Sequence, residues 1–354
     1  MRTVGRPLGG YVAGGPPPGT DGGLVVLQSV PRPRATTNPY VIQLLASLES
    51  VPEVTVLTFG WRTALLGKYD VFHVHWPENL PNGHSRTKSL ARRILTRLLL
   101  SRLRLKRIPI VRTMHNLERP AGRSRAEYRL LDAIDARTTL AIRLNDETPI
   151  PSGLSFETIP HGHYRDWFAR YVPSDAIAGH LGYFGLIRRY KNVTHLVTVA
   201  TALPSNFSLR VGGNPSTAEL ADEIESAKGT DSRITLDFHF LSDAELVDVV
   251  TEAELVVLPY TEMHNSGSVL ASLSLDRPVL VQDNTVNREL AAEVGDGWLY
   301  FYDGELRADD IVAAHTVIAS RSPAARPDLR LREWNEVGVR HVAAYRRARG
   351  LLGR

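Results

Sequence analysis

The sequence predicts an α/β protein of two doubly wound domains facing each other across a cleft, with a last helix crossing back to the first domain. Three observations carry this. The 354 residues exceed what one ordinary core accommodates. Apolar runs of strand length alternate with helix-length amphipathic stretches, the pattern of a parallel sheet with helices on both faces. Polar residues collect just past the ends of those runs, where such sheets bind ligands.

In chain order, residues 1–22 are rich in Gly and Pro, lack a signal-peptide apolar run and are expected to form a disordered leader. The first domain, 23–165, takes strands at Gly23–Val30, Val54–Phe59, Val71–Trp76, Ile108–Met114, Thr138–Leu144 and Phe156–Ile159. Its helices fall at Pro39–Ser50, Arg86–Leu105 and Arg125–Asp135. Residues 166–179 mix aromatics, Asp and Pro173 without periodicity and are expected to form the hinge. The second domain, 180–328, takes strands at Leu181–Gly185, Ser208–Gly212, Ile234–Phe240, Leu255–Leu258, Pro278–Val281 and Trp298–Phe301. In 329–354, Trp334, Val337, Val339, Val342 and Tyr345 recur at near-helical spacing, predicting the helix that packs back on the first domain.

Composition narrows the chemistry. With no cysteine there is no disulfide framework, thiolate zinc site or cysteine nucleophile, which fits a reducing cytoplasm. No segment is apolar for the length a bilayer span needs. His73 and His75 alternate on a strand, as do His161 and His163, but neither pair has a carboxylate or cysteine at ligand spacing, so no metal site is expected.

The stretch Gly182-Tyr-Phe-Gly-Leu-Ile-Arg-Arg-Tyr-Lys-Asn192 runs from an apolar strand into a cationic turn and a helix. Cations at a helix start oppose the dipole, so Arg188 and Lys191 are expected to serve a diphosphate ligand, with Arg189 a surface neighbour. A second anion-compatible turn, His264-Asn-Ser-Gly-Ser268, opens a helix expected at Val269–Leu275. In the first domain His75-Trp76-Pro-Glu78, His115-Asn116, Asn145-Asp146 and His161-Gly-His163 end strands on the cleft side.

On these residues the chain resembles the GT-B glycosyltransferases, with two Rossmann-like domains. It is similar to their family 4 clan and to bacterial exopolysaccharide and glycolipid mannosyltransferases. Phe184–Asn192, Val211-Gly-Gly213, Leu258-Pro-Tyr260 with Asn265-Ser-Gly267, and Arg277-Pro-Val-Leu280 carry the resemblance. It implies that Arg188, Lys191, Asn265, Ser266 and Gly267 bind the donor diphosphate and sugar. Gly212, Gly213, Asn214, Leu241 and Tyr260 would then hold the nucleoside, and His115 would lie near the donor sugar. His75, Trp76, Asn116, His161 and His163 fall on the acceptor side. Retaining members carry two glutamates eight positions apart; here Met263 and Ala271 stand there, which implies inversion. Inversion needs a first-domain base: Glu78 first, with Asp146, Glu118 and His115 as alternatives. No Asp-x-Asp triplet occurs, so cationic side chains are expected to replace a metal.

The helix over Arg86–Leu105 and its flank hold nine basic residues, among them Arg92, Arg93 and Arg97, and no acid. Leu90, Ile94, Leu95, Leu98 and Leu99 are expected to pack on the sheet, leaving the cations toward an anionic membrane surface. No nucleic-acid recognition module is seen. The expected activity is transfer of a hexose from GDP-mannose, or another GDP- or UDP-sugar, to a saccharide or lipid-linked acceptor. The expected location is the inner face of the plasma membrane, on its cytoplasmic side. A sugar-nucleotide epimerase or a non-catalytic nucleotide-sugar binder is the alternative.

Overall fold

The computed structural model describes residues 23–34, 37–117, 119, 122–320 and 326–353; the leader expected over 1–22 and the candidate Glu118 lie outside them. The first lobe runs β1 (Leu24–Gln28), α1 (Pro39–Glu49), β2 (Val54–Leu57), α2 (Trp61–Leu66), β3 (Val71–Val74), α3 (Arg86–Leu105), β4 (Ile110–Met114), α4 (Arg125–Asp135), β5 (Thr138–Arg143) and β6 (Ser155–Thr158). The second begins with α5 (Arg165–Phe168), β7 (Ile177–Phe184), α6 (Val193–Thr201), β8 (Ser208–Gly212), α7 (Ala218–Lys228) and β9 (Ile234–Asp237). It continues with α8 (Asp243–Glu252), β10 (Ala253–Leu258), α9 (Gly267–Ser274), β11 (Val279–Gln282), α10 (Thr285–Val294), β12 (Leu299–Tyr302) and α11 (Ala308–Ala319). Last comes α12 (Trp334–Leu351).

Each lobe has one parallel six-stranded sheet, ordered β2-β1-β3-β4-β5-β6 and β12-β11-β10-β7-β8-β9. Strands such as Val71-Phe-His-Val74 are buried at every position because helices cover both faces. The order reverses between β1 and β3 and between β7 and β10, and there the loops at the strand ends part to leave a crevice. Local chemistry sets the helix starts. Asn38 accepts from the Tyr40 amide ahead of Pro39, and Ser124 and Glu127 form a reciprocal capping box at α4; each cap contributes about 1 kcal/mol.

The final helix does pack on the first lobe. Trp334, Val337, Val342, Tyr345 and Ala348 enter the core shared by α1 and the sheet. A Cβ on Gly338 would lie 2.6 Å from the Ser47 carbonyl, so α12 and α1 touch backbone to backbone. Val339, expected inside, is exposed because it lies roughly 200° around the helix from Val337.

Residues 166–179, expected to form the hinge, pack with the second lobe: Phe168 enters the second core, the Trp167 indole donates to Asp243, and the Ser174 amide donates to Thr251. The lobes are joined earlier, where two crossing segments are tied together. The His163 amide donates to the Arg332 carbonyl, the Trp334 indole donates to the His163 carbonyl, and Arg332 grips Glu293 with two hydrogen bonds.

In α3 the faces differ from expectation. Thr96, Leu99, Leu100 and Leu103 turn inward, whereas Leu90, Ile94 and Leu98 are about half exposed and Leu105 is fully out. The inner face is reached by basic side chains instead. Arg92 donates to the Asn79 and Asn82 carbonyls, and Arg93 pairs with the buried Glu127. Arg97 faces outward.

Candidate functional site

The second-lobe crevice is built around glycine. Gly185, at φ +110°, ends β7, and its amide donates to the Gly212 carbonyl. A Cβ on Gly213 would sit 1.9 Å from the Gly185 oxygen, so only glycine lets these two loops meet. A Cβ on Gly185 would lie 3.6 Å from Lys191 Nζ and 3.8 Å from Ser268 Oγ, which marks the point where these groups converge. Lys191 Nζ lies 4.8 Å from the Tyr260 ring centre, and the Tyr260 hydroxyl donates to Ser268 Oγ. The α9 N-terminus, capped by Ser266 Oγ on the Val269 amide, adds its dipole.

Lys191 is buried, and among the described residues no carboxylate pairs with it. Burial, then the Arg188 guanidinium, lowers its ammonium from 10.5 to about 8. Such a group costs stability unless an anion arrives. Arg188 is exposed at the rim, while Arg189 is bound bidentately by Glu223, as a surface neighbour would be. Tyr260, expected at the nucleoside, lies instead beneath Lys191. Gly212 ends β8 against the Leu241 side chain, and the Asn214 carbonyl accepts from the Ile187 amide.

The first-lobe wall is aromatic and imidazole-rich. Trp76 stacks on His115 at 4.5 Å, and Tyr40 meets the His115 edge. Trp76, Glu78, Arg112, His115, Asn116 and Arg119 line one narrow recess. Glu78 reaches it from a short 3-10 turn, Pro77–Asn79, that the Trp-Pro sequence imposes. Burial first, then the neighbouring imidazoles and Arg112, keeps His115 well below its ordinary range, and His75 falls to about 3. His161 falls to about 4 by burial and accepts from the Tyr164 hydroxyl.

The lobes meet between these walls. Asn145 Nδ2 donates to Asn265 Oδ1 at 2.7 Å, Asn265 Nδ2 donates to the His115 carbonyl, and Thr148 bonds His264. Asn265 therefore latches the lobes rather than presenting its amide to a phosphate. A cleft of about 400 Å³ opens beside this seam, bordered by Asp146, His161, Ser266, Glu289 and Arg332.

Two expected site residues are occupied elsewhere. Asp146 Oδ1 accepts from Arg143 and Thr158, which turns that oxygen away from an acceptor hydroxyl. His163 is buried in the crossing, its Nδ1 accepting from the Arg165 amide, and does not reach the acceptor side. Gln28 and Tyr345, bonded to His75 and His73, carried no motif by which sequence could find them.

Two parallel lobes whose strand-end crevices face one another across such a seam give the chain the GT-B fold. No family model matches it. Two curated proteins of Xanthomonas campestris pv. campestris, each named GDP-mannose:glycolipid 4-beta-D-mannosyltransferase, are 40% identical over 331 residues, covering 93% of this chain and 94% of theirs. The chain belongs to the family of these mannosyltransferases. Among solved structures it is similar in fold to Anabaena Alr3699/HepE in complex with UDP, with TM-score 0.56, 12% identity and coverage of 94% and 99%. Sucrose-phosphate synthase from Thermosynechococcus elongatus is likewise similar, with TM-score 0.62, 14% identity and coverage of 92% and 98%.

Proposed function

We propose that this chain transfers mannose from GDP-mannose to a hydroxyl of a lipid-linked saccharide, inverting the anomeric carbon without a metal ion. The observation that carries the donor half is Lys191, a buried ammonium beside a helix N-terminus and, among the described residues, without a carboxylate partner. The name of the relatives supplies the sugar, the nucleotide and the glycolipid acceptor. It also supports inversion, because GDP-mannose holds its sugar in the α configuration and the named product linkage is β. The positions that carry glutamates in retaining enzymes hold Met263 and Ala271, both buried.

In this reading the Glu78 carboxylate takes the proton of the acceptor hydroxyl, whose oxygen bonds to C1 from the face opposite the nucleotide. The C1–O bond to the diphosphate breaks, and its electron pair leaves with GDP. Lys191, Arg188 and the α9 amides stabilise that growing charge. The test is incubation with GDP-mannose and a lipid-linked oligosaccharide, with and without a chelator. A β-mannoside formed equally in both supports the proposal. An α product, an isomerised nucleotide sugar, binding without turnover, or chelator loss restored by manganese each overturns its corresponding part.

The acceptor half draws on α3. No described helix is long and apolar enough to cross a membrane. The outward side of α3 nevertheless carries Leu90, Ile94, Leu98 and Leu105 among Arg86, Arg97 and Arg104. We place this face on the anionic inner leaflet of the plasma membrane, with the leucines in the acyl boundary and the cations at the headgroups. Vesicles containing phosphatidylglycerol should sediment the protein but not Ile94→Glu/Leu98→Glu; equal sedimentation of both excludes this face.

A further inference from the structure

Behind His115 lies a run of side-chain hydrogen bonds that the reaction described above does not use. His115 Nε2 meets His75 Nδ1 at 3.2 Å, and His75 Nε2 meets Gln28 Oε1 at 3.0 Å. Gln28 Nε2 donates to the Tyr345 hydroxyl at 3.1 Å, Tyr345 lies 2.7 Å from His73 Nδ1, and His73 Nε2 lies 2.8 Å from Thr113 Oγ1. The five members behind His115 are all buried, so these bonds replace water entirely.

With the Gln28 amide oriented as in the structure, its carbonyl toward His75 and its NH2 toward Tyr345, the donors and acceptors run in one direction. The Gln28 carbonyl can only accept, so His75 carries its proton on Nε2 and leaves Nδ1 bare. A bare Nδ1 must accept, so the His115 proton sits on Nε2. On the other side the Gln28 amide donates to Tyr345, whose single hydroxyl proton therefore goes to His73 Nδ1, and His73 donates onward to Thr113. Every proton points away from the cleft. The remaining nitrogen of His115, Nδ1, is the one nearer its main chain, which Asn265 of the second lobe contacts. Among the described residues that nitrogen has no protein partner.

We propose that Gln28 and Tyr345 are positioning residues that lock His115 in the Nε2–H tautomer, so that Nδ1 presents a lone pair to the interlobe seam and accepts a hydrogen bond from a substrate sugar hydroxyl. This rests on the transferase reading for its substrate. It adds that the site selects a hydroxyl donor at that point, and that the last helix, through Tyr345, takes part in setting it. A histidine free to exchange tautomers would at times offer an N–H there, to which the same hydroxyl could only turn its oxygen as acceptor, so its orientation would no longer be fixed.

The test has two arms. Ring nitrogen chemical shifts of 15N-histidine-labelled full-length protein, with His115 assigned by its loss in His115→Asn, report the tautomer without any transfer assay. Expected is a protonated Nε2 and a bare Nδ1 in the native protein, and mixed tautomers in Gln28→Leu. In the transfer assay Gln28→Leu should lower kcat/KM about tenfold, the worth of one oriented hydrogen bond, and Tyr345→Phe severalfold, with GDP affinity unchanged. A proton on His115 Nδ1 in the native protein overturns the proposal, as does full activity in Gln28→Leu. If the native protein shows the expected tautomer but transfers no sugar, the transferase reading fails and the tautomer lock stands.

Discussion

Raising the pH should weaken nucleotide binding through one residue. Lys191 is buried, and its ammonium titrates at about 8 rather than 10.5 because burial and then Arg188 disfavour its charge. A bound diphosphate reverses this, favouring the charged form and raising the value again. Between the two values the free protein has lost the proton that the complex keeps, so binding must take one up and affinity falls up to tenfold per pH unit. Below 8 both states are protonated and affinity is flat. With a free value of about 8, the apparent Kd for GDP should rise roughly tenfold between pH 7 and 9. Phosphate ionisation, near pH 6, lies below this window. Titration calorimetry in buffers of different ionisation enthalpy reads both the affinity and the proton taken up. Lys191→Arg keeps a charge that does not titrate there, so its affinity should be level over the same range. A level profile in the native protein, or the same fall in Lys191→Arg, refutes the placement of the diphosphate against Lys191.

Other outcomes follow from the same geometry. Glu78→Gln should leave GDP affinity intact and lower transfer by about 10²–10⁴; retained turnover would move the base elsewhere. Burial holds His73, His75 and His341 uncharged, the last two at about 3 and about 4. Unfolded histidine takes up its proton near 6.5, so stability is full above that pH and is lost as the pH falls through it. The slope reaches about 4 kcal/mol per pH unit for three such rings, and denaturant titrations at pH 7 and 5.5 should differ accordingly; equal values would mean that water reaches these rings. Gly338→Ala gains about 1 kcal/mol of helix propensity but drives a methyl into the Ser47 carbonyl. A net loss of about 1–3 kcal/mol is expected, and a raised melting temperature would show that the two helices can part.

The architecture was readable because parallel strands buried on both faces leave long apolar runs; α3 and α4 span the residues expected, and the structure shows Ser85 and Ser124 capping them. Lys191 drew notice because a cation at a helix start has no local reason to be there, and the structure buries it. Other features depend on contacts that no local pattern records. Leu90, Ile94 and Leu98 satisfy a helical stripe as well as Leu99 and Leu103 do, and only the position of the sheet decides which set is inside. Phe168 and Trp167 look like linker aromatics until Asp243 and the second core receive them. Tyr260 ends a strand as a base-stacking residue would, yet its ring lies under an ammonium supplied from another loop. Gln28 bonds a tyrosine 317 positions away, a pairing invisible to any motif.

The helix that completes the first lobe leaves the ribosome only after the whole of the second lobe. Until Trp334–Leu351 emerges, α1 and one side of the neighbouring sheet stand open, although the strands there were made first. The second lobe, contiguous from Tyr164 to Leu329, closes its core earlier. Biosynthesis thus runs opposite to the usual amino-terminal-first order, and a nascent chain stalled short of Trp334 carries a finished nucleotide lobe tethered to an unfinished one.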